Sequence, residues 1–418
     1  MARSLEAADA ALELVNQGEL VGLASDLIRI PSFKGGAETE LAYWVEAFFK
    51  ARGYQVDMQE VEPGRYQTIA TLPGQGTGKS LMFNGHLDID PLRGGWQRNP
   101  WEPTVEGDAL YGAGARNMKG GLAAMIVAAE AIRRAGVMLN GDLVIACVIG
   151  ELEGGIGTTH LLESGLRTDM AVLPEPLGAD TLITTFAGVV EFAVSTIGFS
   201  EHMTRNSTFT VDAIEQMGKA MSALRNMTFS GEKRSDLPDL PMLNIGCIMG
   251  GRGRSYDLRG PNYISDYCTV LVDVRFPPGL TSADVIGDIR KVLDQVQREN
   301  AGFDYELCET IPDGFGTTGC NFEPTEVPTS EYIVQSVARH YASVSGQEAT
   351  SIGAVVPWSY AAGDTSHLWR AGIPCLFYGP NSPLRVPGDS DDCVSISQME
   401  TVAKVLVLTA MDVCNMPK

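Results

Sequence analysis

Apolar positions recur at helical spacing over residues 6–32. They do so again over Ala37–Arg52, where Leu41, Trp44, Val45, Phe48 and Phe49 share a face. After Gly53 the pattern becomes β-branched and alternating, and it stops at the turn Pro73-Gly74-Gln75-Gly76. Three short apolar runs follow, Ser80–Asn84, Asp142–Ile149 and Met170–Leu173. Runs of that length predict buried strands, while the longer run Met118–Ala135, opened by Lys119-Gly120-Gly121, predicts an apolar helix. Each strand run ends in polar residues: Gly85-His86-Leu87-Asp88, then Gly150-Glu151, then Pro174-Glu175-Pro176. Strands alternating with helices predict an α/β domain with a mostly parallel sheet, whose ligands sit at the carboxyl ends of its strands. His86, Asp88, Glu151 and Glu175 all fall at such ends, which makes them a candidate site.

From about Val190 the texture changes. A strand over the EFAVSTIGF stretch, a helix over Val211–Arg225, strands over MLNIGCIMGG and CTVLVDVRF, and a helix over Ser282–Glu299 predict a compact α+β insertion. The chain then returns with a helix over Ser330–Ser345, a strand over Pro374–Tyr378 and a closing helix over Gln398–Asn415. The expected layout is a discontinuous catalytic domain, 1–189 and 306–418, with an inserted lid domain of ferredoxin-like kind at 190–305.

Composition narrows the function. A length of 418 residues exceeds one ordinary core, and a net charge of −21 argues against nucleic acid or an anionic membrane as partner. The first twenty residues carry charges throughout and show no signal-peptide core, and no apolar stretch is long enough to span a membrane. The eight cysteines include no CxxC pair, which reads as reduced, packed thiols rather than a disulfide framework or a cysteine zinc site. The default expectation is a cytoplasmic protein.

Several segments together resemble the M20 metallopeptidase/amidohydrolase family, in order and over nearly the whole chain. FNGHLDIDP (83–91) resembles its first metal motif, LYGAGARNMKGG (110–121) its LYGRGAxDMKGG block, and IGELEGGIGT (149–158) its glutamate-pair segment. LPEP (173–176) resembles the third ligand motif, GFSEHM (198–203) the lid histidine segment, and VDVRFPPG (272–279) the lid's DxRxxP segment. AAGDTSHL (361–368) and GIPCLFYGPNSP (372–383) match the C-terminal return. The resemblance implies a two-zinc hydrolase of small amides or N-acyl amino acids that carry a carboxylate, dimeric through the lid. In that mechanism a glutamate activates a metal-bridging water.

The chain departs from this pattern at the ligands. Asn117 stands at the bridging aspartate, Leu152 at the second glutamate, and Gly388 at the last histidine. A neutral amide is a poor bridge between dications, and leucine cannot bind metal. Of the usual ligands His86 and Glu175 survive, with Asn117 as a weak third, so no cofactor is expected beyond zinc at low occupancy; a catalytic zinc normally has three protein ligands. Glu153, Asp389 and His367 are the side chains that a local shift would have to recruit.

Glu151 retains the general-base position, with His202 as electrostatic helper and Asp88 orienting His86. Asn117, Arg275, Asn244 and His86 are the expected substrate contacts. Arg275 also reads as a salt-bridge partner of Asp273, Arg252 and Arg254 as surface arginines, and Asp391-Asp392 as a solvated loop. Glu175 is a candidate partner for Arg116 or Lys119, and glycines 250, 251 and 253 read as a turn or a carboxylate-binding loop. Three functional readings stay open: a metal-independent enzyme using Glu151 as acid/base for acyl or amide transfer, cyclisation, elimination or isomerisation; a hydrolase with a rearranged or single metal; and a non-catalytic binding relative.

Overall fold

The computed structural model describes residues 2–205, 210–312, 314–383 and 391–418. The expectations at Gly388 and Asp389 lie outside the described residues. Two compact units divide the chain: Met1–Thr185 with Thr325–Trp358 and Gly363–Lys418, and Phe186–Pro324 with Ser359–Ala362.

The first unit is built on an eight-stranded sheet in the order Gln55–Glu62, Arg65–Leu72, Leu143–Val148, Leu81–His86, Met170–Leu173, Cys375–Phe377, Thr181–Ile183 and Ser351–Gly353. Its central strands are parallel to one another, and the hairpin Gln55–Leu72 joins antiparallel at one side. All six residues of both Leu81–His86 and Leu143–Val148 are buried, so these runs read as continuous apolar sequence rather than as alternation. Helix Gly120–Arg134 is apolar nearly all round because it too is enclosed, with every residue from Gly120 to Ile132 buried. Gly121 makes that enclosure possible. A Cβ there would lie 2.0 Å from the Pro174 carbonyl oxygen, so only glycine lets the helix approach the strand end that carries Glu175.

The second unit is an antiparallel sheet in the order Met242–Gly251, Tyr267–Phe276, Gly188–Ile197 and Asp304–Cys308. Helices Ala213–Arg225 and Ser282–Glu299 supply Met217, Leu224, Ile289 and Leu293 to a core with Phe192, Val194, Val270 and Val272. The helix at Ser282 starts on a capping box: the Thr281 hydroxyl and the Asp284 carboxylate satisfy each other's backbone amides. Asp304–Cys308 and Asn321–Phe322 both pair with Gly188–Ile197, which carries this unit past residue 305 to Pro324.

Candidate active site

The order of the three central strands sets the site. His86 is the last residue of Leu81–His86; Glu151 follows Leu143–Val148 by a short turn, and Glu175 follows Met170–Leu173 by two residues. Those strands are adjacent and parallel, so their carboxyl ends deliver all three side chains to one place. Asn117 arrives from the wide turn Ala115–Lys119, where its φ of −120° and ψ of 101° leave helical geometry before helix Gly120–Arg134 begins.

His86 is the hub of a buried polar cluster. Its Nδ1 donates to the Asp88 backbone carbonyl at 2.8 Å, and its Nε2 lies 3.1 Å from Oδ1 of Asn117. Nε2 also stands 3.7 Å from Glu175 and 3.9 Å from Glu151, while the Asp88 carboxylate is 3.7 Å from Nδ1. Asp88 is itself fully buried and accepts the backbone amides of Glu151 at 3.2 Å and Leu152 at 3.0 Å. The turn carrying the glutamate is thus tied to the segment carrying the histidine.

Asp364 is a further member, not singled out from sequence. It is buried, its Oδ2 accepts the Thr158 hydroxyl at 2.8 Å, and its Oδ1 has no hydrogen-bond partner. Gly155, at φ +73°, leaves room for it: a Cβ would lie 2.4 Å from that Oδ1 and 2.6 Å from the His367 ring.

Four carboxylates around one imidazole govern the protonation of the cluster. Burial opposes a charge on His86, but Glu175, Asp88, Glu151 and Asp364 outweigh it and raise its pKa to about 10. An imidazolium donating from both nitrogens matches its two contacts. Burial pushes Glu175 up to about 7 and Glu151 well above the usual carboxylate range, and it raises Asp364 as well; the charge of His86 opposes all three shifts.

Other expectations resolve differently. Glu175 pairs with neither Arg116 nor Lys119. The buried Lys119 donates to the Ile30 carbonyl at 2.8 Å, with its pKa lowered by burial to about 7, and Arg116 faces Asp392. Asp391 is not a solvated residue: its carboxylate is buried and accepts the amides of Gln97 and Arg98 and the Arg98 guanidinium. Glu153 is held in an ion pair with Arg65, which also binds Glu38, and His367 Nε2 contacts the Gly154 carbonyl at 2.8 Å. Of the three side chains offered as replacement ligands, the two described ones therefore have other partners.

His202, Asn244 and Arg275 belong to the second unit. His202 is half-buried and hydrogen-bonds to Thr204 through Nδ1 and to Asn262 through Nε2, both at 2.8 Å. Arg275 holds Asp273 in a two-bond ion pair at 2.7 and 2.8 Å, opposite Asn244 in the neighbouring strand. Arg254 is an exposed arginine and Arg252 a half-buried one, and they pair with Glu306 and Asp257 respectively. Gly250 and Gly251 lie inside strand Met242–Gly251, and only Gly253, at φ +66°, forms the turn.

The described side chains at this centre do not offer the carboxylates that a pair of ions would need. The Leu152 side chain lines the cavity beside Asn117, and the bridging position holds an amide. Among the described residues no three His, Cys, Asp or Glu side chains converge as ligands of one ion. No reaction step is routed through such an ion below.

Comparison with known proteins agrees with this architecture. The model of peptidase family M20/M25/M40 matches residues 82–412. An N-formyl-4-amino-5-aminomethyl-2-methylpyrimidine deformylase of Bacillus subtilis is 27% identical over 427 residues, 96% of this chain and 96% of that protein. An acetylornithine deacetylase of Vibrio vulnificus is 30% identical over 261 residues, 61% of this chain and 66% of that enzyme. A solved di-peptidase of Saccharomyces cerevisiae shares the fold at a TM-score of 0.76 and 12% identity, across the whole of both chains.

Proposed function

The chain belongs to peptidase family M20/M25/M40, and from that premise we infer that it cleaves the N-acyl bond of a small amide, with Glu151 moving the proton. The observation that carries the reading is the placing of Glu151: a buried carboxylate 3.9 Å from the His86 imidazole, on a turn fixed by Asp88. The similarity to a deformylase and to deacetylases favours a short acyl group, formyl or acetyl, on a small amine.

The step balances without an added reagent. Glu151 takes a proton from water as the water oxygen bonds to the acyl carbon. It then returns that proton to the nitrogen as the carbon–nitrogen bond breaks, leaving a carboxylic acid and an amine. Burial raises the Glu151 pKa, which makes it a stronger base toward water than an ordinary carboxylate. The fixed charge of His86 stabilises negative charge developing on the carbonyl oxygen. Acyl transfer to an amine would use the same groups with the amine in place of water. In this reading His86 and Asn117 contact the substrate.

A second reading has one dication held by His86, Glu175 and Asn117. It is favoured by the excess of negative charge and by the approach of both oxygens to Nε2, at 3.7 and 3.1 Å. Cytoplasmic residence and a homodimer through the second unit complete the proposal. Strand Met242–Gly251 ends the sheet with an open edge among the described residues, and such an edge suits pairing with a second copy.

Release of formate or acetate from a panel of N-acyl amines tests the reading. Glu151→Gln should lower kcat by about a hundredfold or more while the protein stays folded. Unchanged turnover in that variant would remove Glu151 from the chemistry. Binding without turnover in the unsubstituted chain would favour the non-catalytic relative.

A further inference from the structure

A cavity of about 600 Å³ in the first unit is lined by Arg93, Arg116, Asn381, Ser382, Gln398 and Trp358. Arg93 and Arg116 also line a second cavity of about 150 Å³, whose wall includes Asn117 and Leu152. The two arginines are therefore shared by the larger space and the cavity that Asn117 lines.

The larger cavity is a wall of donors. The oxygen of Gln398 is occupied by the backbone amides of Ala179 at 3.2 Å and Asn381 at 3.0 Å, which turns its NH₂ away from them. The oxygen of Asn381 is likewise taken by the Ser382 amide at 2.8 Å, and the Ser382 hydroxyl donates to the Cys393 carbonyl at 2.6 Å. Both amides are left with N–H groups to offer. Arg116 Nε is buried without a hydrogen-bond partner, and among the described residues it faces the Asp392 carboxylate at 3.8 Å, beyond hydrogen-bond distance. Among the described residues the lining of this cavity holds no carboxylate. In a chain of net charge −21, two arginines bordering a space whose described lining holds no acid, with Asp90, Asp391 and Asp392 on the side of the smaller cavity, suit a bound anion.

We propose that Arg93 and Arg116, with the amides of Asn381 and Gln398, form the site that recognises an oxyanion group of the substrate, a carboxylate or a phosphate. Trp358 supplies an apolar face beside it. The site sets which amides enter, and it places the anionic end of the substrate away from the acyl group that reacts near Glu151. The substrate carboxylate is then not held by Arg275, whose guanidinium is committed to Asp273. The inference rests on the reading of the His86–Glu151 cluster as the reaction centre.

Ligand binding can be read without turnover, because Trp358 and Trp96 line the two cavities and report through their fluorescence. The full chain is titrated with benzoate, phenyl phosphate and the neutral isostere benzamide. The expected result is saturable quenching by at least one anion at millimolar concentration, at least tenfold weaker for benzamide. Arg93→Gln and Arg116→Gln should each weaken the anion at least tenfold, whereas Arg167→Gln, on another surface, should not. Preference for benzoate or for phenyl phosphate identifies the group. Equal binding of benzamide, no binding of either anion, or anion binding unchanged in both variants would overturn the proposal. Glu151→Gln should keep anion binding while losing turnover, which separates failure of this site from failure of the catalytic reading. Far-ultraviolet circular dichroism of each variant excludes misfolding, and Arg93→Lys, which keeps the charge, should recover part of the affinity.

Discussion

Oδ1 of Asp88 accepts the backbone amide of Glu151 at 3.2 Å, across 63 residues of sequence. One carboxylate thereby holds the turn that carries the glutamate while lying 3.7 Å from the histidine that the glutamate faces. Replacing Asp88 with Ala leaves the amides of Glu151 and Leu152 buried and unpaired, a loss of roughly 2–3 kcal/mol for bonds to a charged acceptor. Asp88→Asn is expected to keep more stability but to lose activity, because its NH₂ can replace neither acceptor oxygen. Denaturant unfolding together with kcat separates the two effects.

Gly155 sits at φ +73° with Asp364 and His367 against its α-carbon. Gly155→Ala should destabilise the first unit by at least about 1–2 kcal/mol through backbone strain alone, with the steric clash added. Thermal unfolding is the measurement, and an unchanged midpoint would mean that the Asp364 segment is not packed as described.

The protonation of the cluster gives a sign for the pH dependence of stability. Glu175 has its pKa near 7 when folded, against an ordinary 4.5. Between those values the folded chain keeps a proton that the unfolded chain has released, so stability present at the acid end is lost as pH rises through 7. The raised pKa values of Glu151 and Asp364 act in the same direction. Above pH 7, His86 continues the loss while Lys119, with its lowered pKa, works against it. The clear window is therefore pH 4.5 to 7. The melting temperature should fall across it, and Glu175→Gln should flatten the fall.

If the missing ligands are what keeps a pair of ions out, restoring them should bring metal in. The double substitution Asn117→Asp and Leu152→Glu supplies two carboxylates facing His86 and Glu175. It should tighten zinc binding at least tenfold over the unsubstituted chain, measured by competition with a chromophoric chelator. Equal affinity would show that these two positions do not decide metal retention.

The sheet was legible because its central strands are enclosed on both faces. Runs such as Leu143–Val148 are apolar throughout, and their polar ends point to the site without further information. His86, Asp88, Glu151 and Glu175 were found by that route. Asp364 and Asp391 were not, because what buries them lies far away in sequence. Asp364 meets Thr158 across 206 residues, and Asp391 meets Gln97 across 294. Read locally, an aspartate pair beside glycine and serine is a solvated loop; only the fold supplies the amides that enclose the first of them. The arginine-lined cavity was hidden for the same reason, since Arg93, Arg116 and Gln398 come from three distant segments.

The central claim is that Glu151 performs the proton transfers at a centre that does not depend on a pair of metal ions. Turnover of an N-formyl amine before and after exhaustive chelation, with metal removal confirmed by elemental analysis, tests it most directly. The account predicts that the stripped chain keeps its rate and that Glu151→Gln does not. Loss of turnover on stripping, restored by adding zinc, would contradict it, and the number of equivalents needed would distinguish a single ion from a pair.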